Sequence, residues 1–182
     1  MQLRFIKLRE KHLKQVRLWR MKPEVSKYMC TNPRISPQKQ RQWYKQISKD
    51  PSQKHWIVEV NGNNVGLIRL YAIDLTNKHA YCGYYIGEPS AWGRNIGKAM
   101  MFNILRYAFD KIKLHKVYYE VLSLNERGLS LPKKFGVKIE GILKDHIYKE
   151  GKFYDIITMG ILNSDWQKIK HQFQIEIFFI ED

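Results

Sequence analysis

The stretch Tyr84-Tyr85-Ile86-Gly87-Glu88-Pro89-Ser90-Ala91-Trp92-Gly93-Arg94-Asn95-Ile96-Gly97-Lys98-Ala99 narrows the choice of folds more than any other. It starts as an aromatic run suited to a strand and turns at Pro89. A loop of small residues then opens a long amphipathic helix, with Ile96, Met100, Ile104, Ala108 and Ile112 on one face and Met101, Leu105 and Phe109 beside them. That recurrence is the helical period of about 3.6 residues. A strand running through a short loop into a helix brings unpaired N–H groups and the positive end of the helix dipole to one point, which is an anion site. Gly93 and Gly97 have no Cβ and let a phosphate approach the backbone. Arg94 and Lys98 add full positive charges. The run lacks the Gly-Lys-Ser/Thr ending of a Walker loop and the three glycines of the dinucleotide fingerprint. On these residues alone a blander reading stays open: a turn and a packed helix, with glycine serving only backbone geometry.

Around this stretch, strand and helix signals alternate. Leu3–Leu8 reads as a strand, and His12–Trp19 as a helix with Leu13, Val16 and Trp19 on one face. Pro23–Met29 is a short helix or loop, and Asn32-Pro33-Arg34-Ile35 is a break. Ser36-Pro37 pairs an N-cap hydroxyl with proline at the first helical position, starting a helix that runs to about Lys49 and shows Trp43 and Ile47 to the core. His55–Val60 and Val65–Tyr71 flank Asn61-Gly62-Asn63, and Asn-Gly is a strong hairpin signal. A strand from about His79 leads into the loop, and the long helix ends near Lys113. Val117–Leu122 is a β-branched and aromatic strand. A short helix ends at Phe135-Gly136, with Gly136 as its C-cap. Lys138–Ile142 and Asp155–Ile161 are the last strands, with a turn at Lys149–Lys152. Ser164-Asp165-Trp166 caps a final helix. Without linker or repeat, residues 1–166 read as a single α+β domain around a mixed sheet. Residues 167–182, including the apolar Ile175–Ile180, are a C-terminal extension of unknown role.

Charge and cysteine usage limit the function classes. Formal net charge is +15, which suits nucleic acid, an anionic small ligand or simple solubility. The lysines are spread from Lys7 to Lys170 rather than gathered in a block, as on a solvated surface. A polycationic substrate would be repelled on approach. No apolar run is long enough to span a bilayer, and the charged, alternating start is neither signal peptide nor anchor, so no membrane partner is expected. Cys30 and Cys82 lack metal-ligand spacing and the six histidines show no pairing. A reducing cytoplasm and no bound metal are expected. No stacking signature of the RNA-recognition type is present, so nucleic acid is not the expected partner. A basic RNA-binding module remains the non-enzymatic alternative, beside a fold that binds coenzyme A without catalysis. A homodimer is among the assemblies left open.

Three signatures occur in order: the loop opening the long helix, the strand Leu114–Val121 leading to Asn125, and Phe135-Gly136-Val137 followed by Glu140-Gly141. Each is weak alone, and the ordered set resembles the Gcn5-related N-acetyltransferases (GNAT), in the branch holding ribosomal-protein N-acetyltransferases. The resemblance covers Leu3 to about Trp166. It implies a mostly antiparallel central sheet flanked by helices, and acetyl-CoA as co-substrate. It places the pantetheine arm on backbone groups of Tyr85, Ile86 and Gly87. It places the pyrophosphate on N–H groups from Arg94 to Ala99, that is Arg94, Asn95, Ile96, Gly97, Lys98 and Ala99, in the loop that begins at Trp92-Gly93. Asn125 and Lys134 match further cofactor-contacting positions. Two residues of the loop depart from the family pattern. Asn95 replaces the usual first glycine, though asparagine adopts left-handed angles more readily than most residues. Trp92 replaces the usual Arg or Gln.

At the front, Trp19-Arg20, Pro23, Val25-Ser26, Met29, Ile35 and Trp43, with the strand His79–Gly83, resemble the acetyltransferases of pseudaminic acid biosynthesis. Those enzymes acetylate the 4-amino group of a UDP-linked amino sugar. This implies a nucleotide-sugar amine as acceptor, with Trp19, Arg20 and Met29 on its side of the site. Arginine would fork onto a diphosphate and tryptophan would stack on a ring. A protein N-terminal amine is the alternative acceptor; antibiotics and polyamines are disfavoured by charge.

Amine acetylation needs a proton acceptor, donors for the oxyanion and a proton for the leaving sulfur. Glu120, five residues before Asn125, matches the family's proton-accepting glutamate, and a strand N–H near Tyr85 or Ile86 would hold the oxyanion. The family often has tyrosine seven residues after the matched asparagine. Here Pro132 stands there, with no proton to give. Tyr81, which replaces a family glutamate, or solvent is left for that step; Tyr81 also reads as a packed strand aromatic.

Overall fold

Residues 2–31 and 34–182 are described by the computed structural model, so half of the break read at Asn32–Ile35 lies outside the described residues. Alternation makes the strands. Leu3 and Phe5 are buried and Arg4 between them is exposed in β1 (Leu3–Lys7). The chain continues through α1 (Leu13–Met21), α2 (Pro23–Ser26), α3 (Pro37–Ile47), β2 (Lys54–Val60), β3 (Asn63–Asp74) and β4 (His79–Ile86). It goes on through α4 (Ile96–Arg106), β5 (Lys116–Leu122), α5 (Glu126–Lys133), β6 (Lys138–Lys149), β7 (Lys152–Leu162), α6 (Asn163–Ile169) and β8 (Phe179–Ile180). The strands form one eight-stranded sheet in the order β6-β7-β5-β4-β3-β2-β1-β8. Pairing is antiparallel except at β4 with β5 and β1 with β8. This is the mixed, mostly antiparallel architecture expected.

Helices cover both faces. α1 and α3 pack on one side, where Leu8, Val16, Trp19, Ile47, Ile57 and Leu67 form a core. α4, α5 and α6 cover the other, around Met100, Ile104, Phe109, Phe135, Met159 and Trp166. The local signals act as the sequence suggests. The Ser36 hydroxyl accepts from Lys39 N–H at 3.1 Å, with Pro37 opening the helix. Asn61 and Gly62 both have positive φ, 49° and 81°, as the tight β2–β3 hairpin requires. The long helix does not stay α: a π-helical turn, Tyr107–Lys111, continues α4 and carries the apolar face through Ala108. β6 is longer than expected. It runs unbroken in sequence to Lys149 across register shifts at Ile139/Gly141 and Leu143/Ile147. The shifts break the period-2 pattern there, which is why sequence pattern stops at Ile142.

The segment after α6 is built into this unit rather than hanging from it. Phe173 stacks on Phe135 at 4.5 Å between ring centroids, Phe178 is buried, and β8 pairs Phe179 and Ile180 with Arg4 and Phe5. The extension expected at 167–182 therefore completes a sheet edge and a core.

Candidate active site

The sheet opens at its centre. β4 and β5 pair in parallel only through His79–Lys116, Ala80–Val117 and Tyr81–Tyr118. Beyond Tyr81 both strands run on without each other, while β4 stays paired to β3 as far as Ile86 and β5 to β7 as far as Leu122. Backbone groups of Cys82–Ile86 that point away from β3 thus face a gap. One of them is taken, since the Ile86 carbonyl accepts Trp92 Nε1 at 3.1 Å. Trp92 ties the loop to the end of β4.

At the mouth of this gap α4 begins. Gly93 and Asn95 have φ of 78° and 59°, so both special turns of the loop need residues that tolerate left-handed angles. The first helical bond runs from Ala99 N–H to Asn95 O at 3.0 Å, leaving the N–H groups of Ile96, Gly97 and Lys98 ahead of it. No acid stands in the first turn. Gly93, Arg94, Asn95 and Lys98 are exposed, whereas Ile96 and Ala99 bury their side chains and offer only backbone. Gly97 has a second reason to be glycine: a Cβ there would lie 3.1 Å from Leu131 Cδ2 of α5. Unpaired strand backbone leading to an unneutralised helix N-terminus fits an extended arm ending in a pyrophosphate.

Asn125 caps α5, its Oδ1 accepting from Gly128 N–H at 2.9 Å. Lys134 is exposed at the other end of that helix. Pro132 lies inside α5 and is buried, so no hydroxyl occupies that position.

On the α1–α3 face, the gap is bordered by Glu120, exposed on β5, and by an aromatic ladder. Tyr71, Tyr81 and Tyr118 stack across β3, β4 and β5 at 5.4 and 5.2 Å between centroids. Arg69 lies over Tyr71 at 4.2 Å and Lys116 over Tyr118 at 4.4 Å. Tyr81 is therefore held as a strand aromatic. Burial first, and then Glu120, raise its pKa, so the phenol keeps its proton.

α1 and α2 roof this face. Trp19 does not offer a ring to an acceptor, which corrects the expectation. It is 1 % exposed, its Nε1 donates to Glu88 Oε1, and it packs where a Cβ on Gly87 would stand 2.2 Å from its ring. Lys22 Nζ joins it on Glu88 at 2.9 Å, so α1 clamps the end of β4. The Trp19 bond first, with Lys22 beside it, holds the Glu88 carboxyl below its usual range. Arg20 is half-buried and reaches Thr31 Oγ1 at 3.2 Å. Met29 is half-buried in the loop after α2.

Two residues of this region escaped sequence reasoning. Arg69 shares a face with Leu67 and Tyr71, which period-2 alternation could have shown. Lys149 had no such signal. The residue is 6 % exposed, and its ammonium donates to the carbonyls of Ser26, Lys27 and Met29 at 2.8, 2.9 and 2.9 Å, tying the end of β6 to the end of α2 and the loop after it. Among the described residues no cluster of His, Cys, Asp or Glu could hold a metal, and no helix is long and apolar enough to cross a membrane.

Comparison with known proteins agrees with this geometry. The acetyltransferase (GNAT) domain family matches residues 2–138. The chain belongs to this family of acetyl-CoA-dependent N-acetyltransferases. YdaF of Bacillus subtilis (strain 168), named for ribosomal N-acetylation, is 28% identical over 59% of this chain and 58% of its own length. This chain thus spans under two thirds of that relative. Acetyltransferase PseH of Campylobacter jejuni (strain 81-176) is 25% identical over 70% of this chain and 77% of its own. The spermidine N(1)-acetyltransferase of Vibrio cholerae is 25% identical over 78% and 82%. A crystal structure of the Vibrio cholerae spermidine N-acetyltransferase with CoA and spermine has the same fold, with a TM-score of 0.85 at 24% identity over 91% of this chain and 98% of that one.

Proposed function

We propose that this acetyltransferase acts on a primary amine borne by an anionic small molecule, the 4-amino group of a UDP-linked amino-dideoxy sugar being the reading best supported. One observation carries the choice. The segment from Lys11 to Lys49, whose α1 and α2 roof the acceptor face, has eleven lysines and arginines and one acid, Glu24. A tri- or tetra-cationic polyamine would be repelled by that surface, and an N-terminus of a basic protein would fare little better, whereas a diphosphate would be drawn in. The likeness to PseH at the front of the chain points the same way. The spermidine and ribosomal relatives are similarly distant, so sequence identity does not decide the acceptor.

In the proposed reaction acetyl-CoA supplies an activated acetyl thioester. The N–H groups at the start of α4 and in the loop from Gly93 to Lys98 hold its pyrophosphate, and Tyr85, Ile86 and Gly87 hold the arm along β4. Asn125, through the Nδ2 left free by its cap, and Lys134 flank the arm from α5. Glu120 takes a proton from the attacking amine, directly or through water, as the new C–N bond forms. A β4 N–H facing the gap stabilises the acetyl oxygen. The C–S bond breaks, and the sulfur receives its proton from the Tyr81 hydroxyl or from solvent. A thiol is acidic enough that the missing hydroxyl at Pro132 is tolerable.

Thiol release from acetyl-CoA, followed for a UDP-4-amino-sugar, spermidine and an N-terminal peptide in parallel, tests the reading. The amino sugar is expected to give the highest kcat/KM. Preferred turnover of spermidine would overturn it.

A further inference from the structure

Arg20 and Arg69 stand on the Tyr85 side of the sheet, and both charges act on the Tyr85 hydroxyl. Arg20 leaves the end of α1, half-buried, and its Nε is buried with no hydrogen-bond partner. Among the described residues its side-chain bond is to a neutral hydroxyl, Thr31 Oγ1. Arg69 comes from β3 on the same face and crosses Gly83, where a Cβ would lie 3.1 Å from its Nε. Among the described residues neither arginine forms an ion pair. Between them on β4, the Tyr85 hydroxyl is buried and also has no partner. The fields of Arg20 and Arg69 both reach that hydroxyl, against the burial that raises its pKa. Arg20 itself is lowered by burial, and Arg69 adds to this after it. Glu88, the carboxylate at this end of β4, is already held by Trp19 and Lys22.

Protein charges taken out of water are ordinarily paired, because the desolvation cost is otherwise left uncompensated. Arg20 Nε and the Tyr85 hydroxyl, both buried without a partner, together with the Arg69 guanidinium on the same face, form a site that an anionic ligand would complete. Their donors are many and their charge is double. A guanidinium matches phosphate oxygens with two parallel bonds, and a phenol adds a third direction.

We infer that Arg20, Arg69 and Tyr85 form a subsite for a phosphate or diphosphate group of the acceptor, next to the β4–β5 gap and separate from the loop that receives the coenzyme. This rests on the anionic-acceptor reading above and names the groups that would enforce it. The source of the phosphate is either a nucleotide diphosphate or a simpler phosphorylated amine.

The test uses the intact protein saturated with CoA, so that the α4 loop is filled and any further anion must bind elsewhere. UDP, UMP and inorganic pyrophosphate are titrated calorimetrically into wild type, Arg20→Gln, Arg69→Gln, Arg69→Lys and Tyr85→Phe. UDP is expected to bind, to weaken at least ten-fold in each glutamine variant, to recover in part in Arg69→Lys, and to weaken several-fold in Tyr85→Phe. CoA affinity is expected to stay within two-fold in the three arginine variants, which also reports that they are folded, and far-UV circular dichroism reports the fold of Tyr85→Phe. UDP binding far tighter than pyrophosphate assigns a nucleotide; equal binding assigns the phosphate alone. The inference is overturned if none of these anions binds the CoA-loaded protein, or if binding is indifferent to both arginines. If UDP binds through the arginines but no amino sugar is acetylated, the subsite stands and the acceptor reading falls. If the sugar is acetylated equally well by both glutamine variants, only the subsite falls.

Discussion

Replacing Lys149 with methionine keeps the aliphatic stem and removes one buried ammonium with its three bonds to the carbonyls of Ser26, Lys27 and Met29, 2.8–2.9 Å long. Bonds to a charged group contribute roughly 1.5–3 kcal/mol each before opposing terms. Burial of the ammonium opposes them: it is the first cause of the lowered Lys149 pKa, and only Glu150 and Cys30 act the other way. Water can also satisfy the carbonyls once the loop opens. A net loss of about 2–3 kcal/mol follows for opening the loop, which is a 30- to 150-fold larger opening constant at about 1.4 kcal/mol per ten-fold. Amide hydrogen exchange reads this directly. Ser26, Lys27 and Met29 N–H groups bond to Lys22, Pro23 and Ser26 carbonyls at 2.8, 3.0 and 2.9 Å, so each has protection to lose. The expected result is exchange faster by about that factor from Ser26 to Met29, partial recovery in Lys149→Arg, a raised KM for the amine and an unchanged KM for acetyl-CoA. Unaltered exchange at these amides, or equal loss of protection across the whole sheet, would refute the idea that this lysine sets the loop.

Glu120→Gln removes the proposed proton acceptor from an exposed strand position, so kcat is expected to fall on the order of 100-fold or more while acetyl-CoA still binds within two-fold; stopped-flow binding and turnover on one preparation check both halves. Asn95 sits at φ 59°, so Asn95→Gly should leave coenzyme affinity within a few-fold while Asn95→Val, which resists that angle, weakens it at least ten-fold by calorimetry. His55 is buried, with Nε2 on Gln53 Oε1 at 2.9 Å and Nδ1 unpartnered. Burial first, and then Arg69, push its pKa down to about 3, against Asp50. Its folded pKa lies below the unfolded value near 6.5, so its contribution is complete above that pH and is lost as pH falls towards 3. Urea melts should lose about 2 kcal/mol to this residue between pH 7 and pH 5, and His55→Gln should flatten that slope.

The loop and helix were legible because their information is local. Positive φ at Gly93 and Asn95, the start of α4 and the free N–H groups all follow from residues within one turn of each other. The hairpin at Asn61-Gly62 and the cap at Ser36 are local in the same sense. Trp19 misled because a tryptophan on a helix near a site has the same sequence signature whether it stacks on a ligand or fills a core. Only the register that puts Gly87 under its ring and Glu88 at its Nε1 separates the two. Arg69 was half-legible: alternation fixes its face, but its approach to Arg20 depends on α1 crossing β3 and β4. Lys149 was not legible at all, because the carbonyls it holds are over a hundred positions away and have no side-chain signature.

The C-terminal segment shows why a stretch beyond the family match can still govern the site. Asn103 is fully buried in the middle of α4, where an amide needs partners. Its Nδ2 donates to Ala99 O and Glu176 O, each at 3.1 Å, and its Oδ1 accepts from Phe178 N–H at 2.9 Å. Two of those three partners belong to the tail. Further along the same helical rod, Tyr107 Oη donates to Asp182 Oδ1 at 2.8 Å and Lys111 pairs with the same carboxylate. At the sheet edge Trp56 Nε1 reaches Glu181 O at 2.6 Å, Lys7 N–H donates to Glu181 Oε2 at 2.9 Å, and Arg9 pairs with that side chain. The tail therefore ties α4 to β1 and β2 along its length. On the proposed reading, that bracing would fix the direction in which α4 presents its first N–H groups to a pyrophosphate. Removing the tail would take away two of the three partners of Asn103 and uncover the apolar surface on which Phe173 and Phe178 pack, beside the helix that carries the loop.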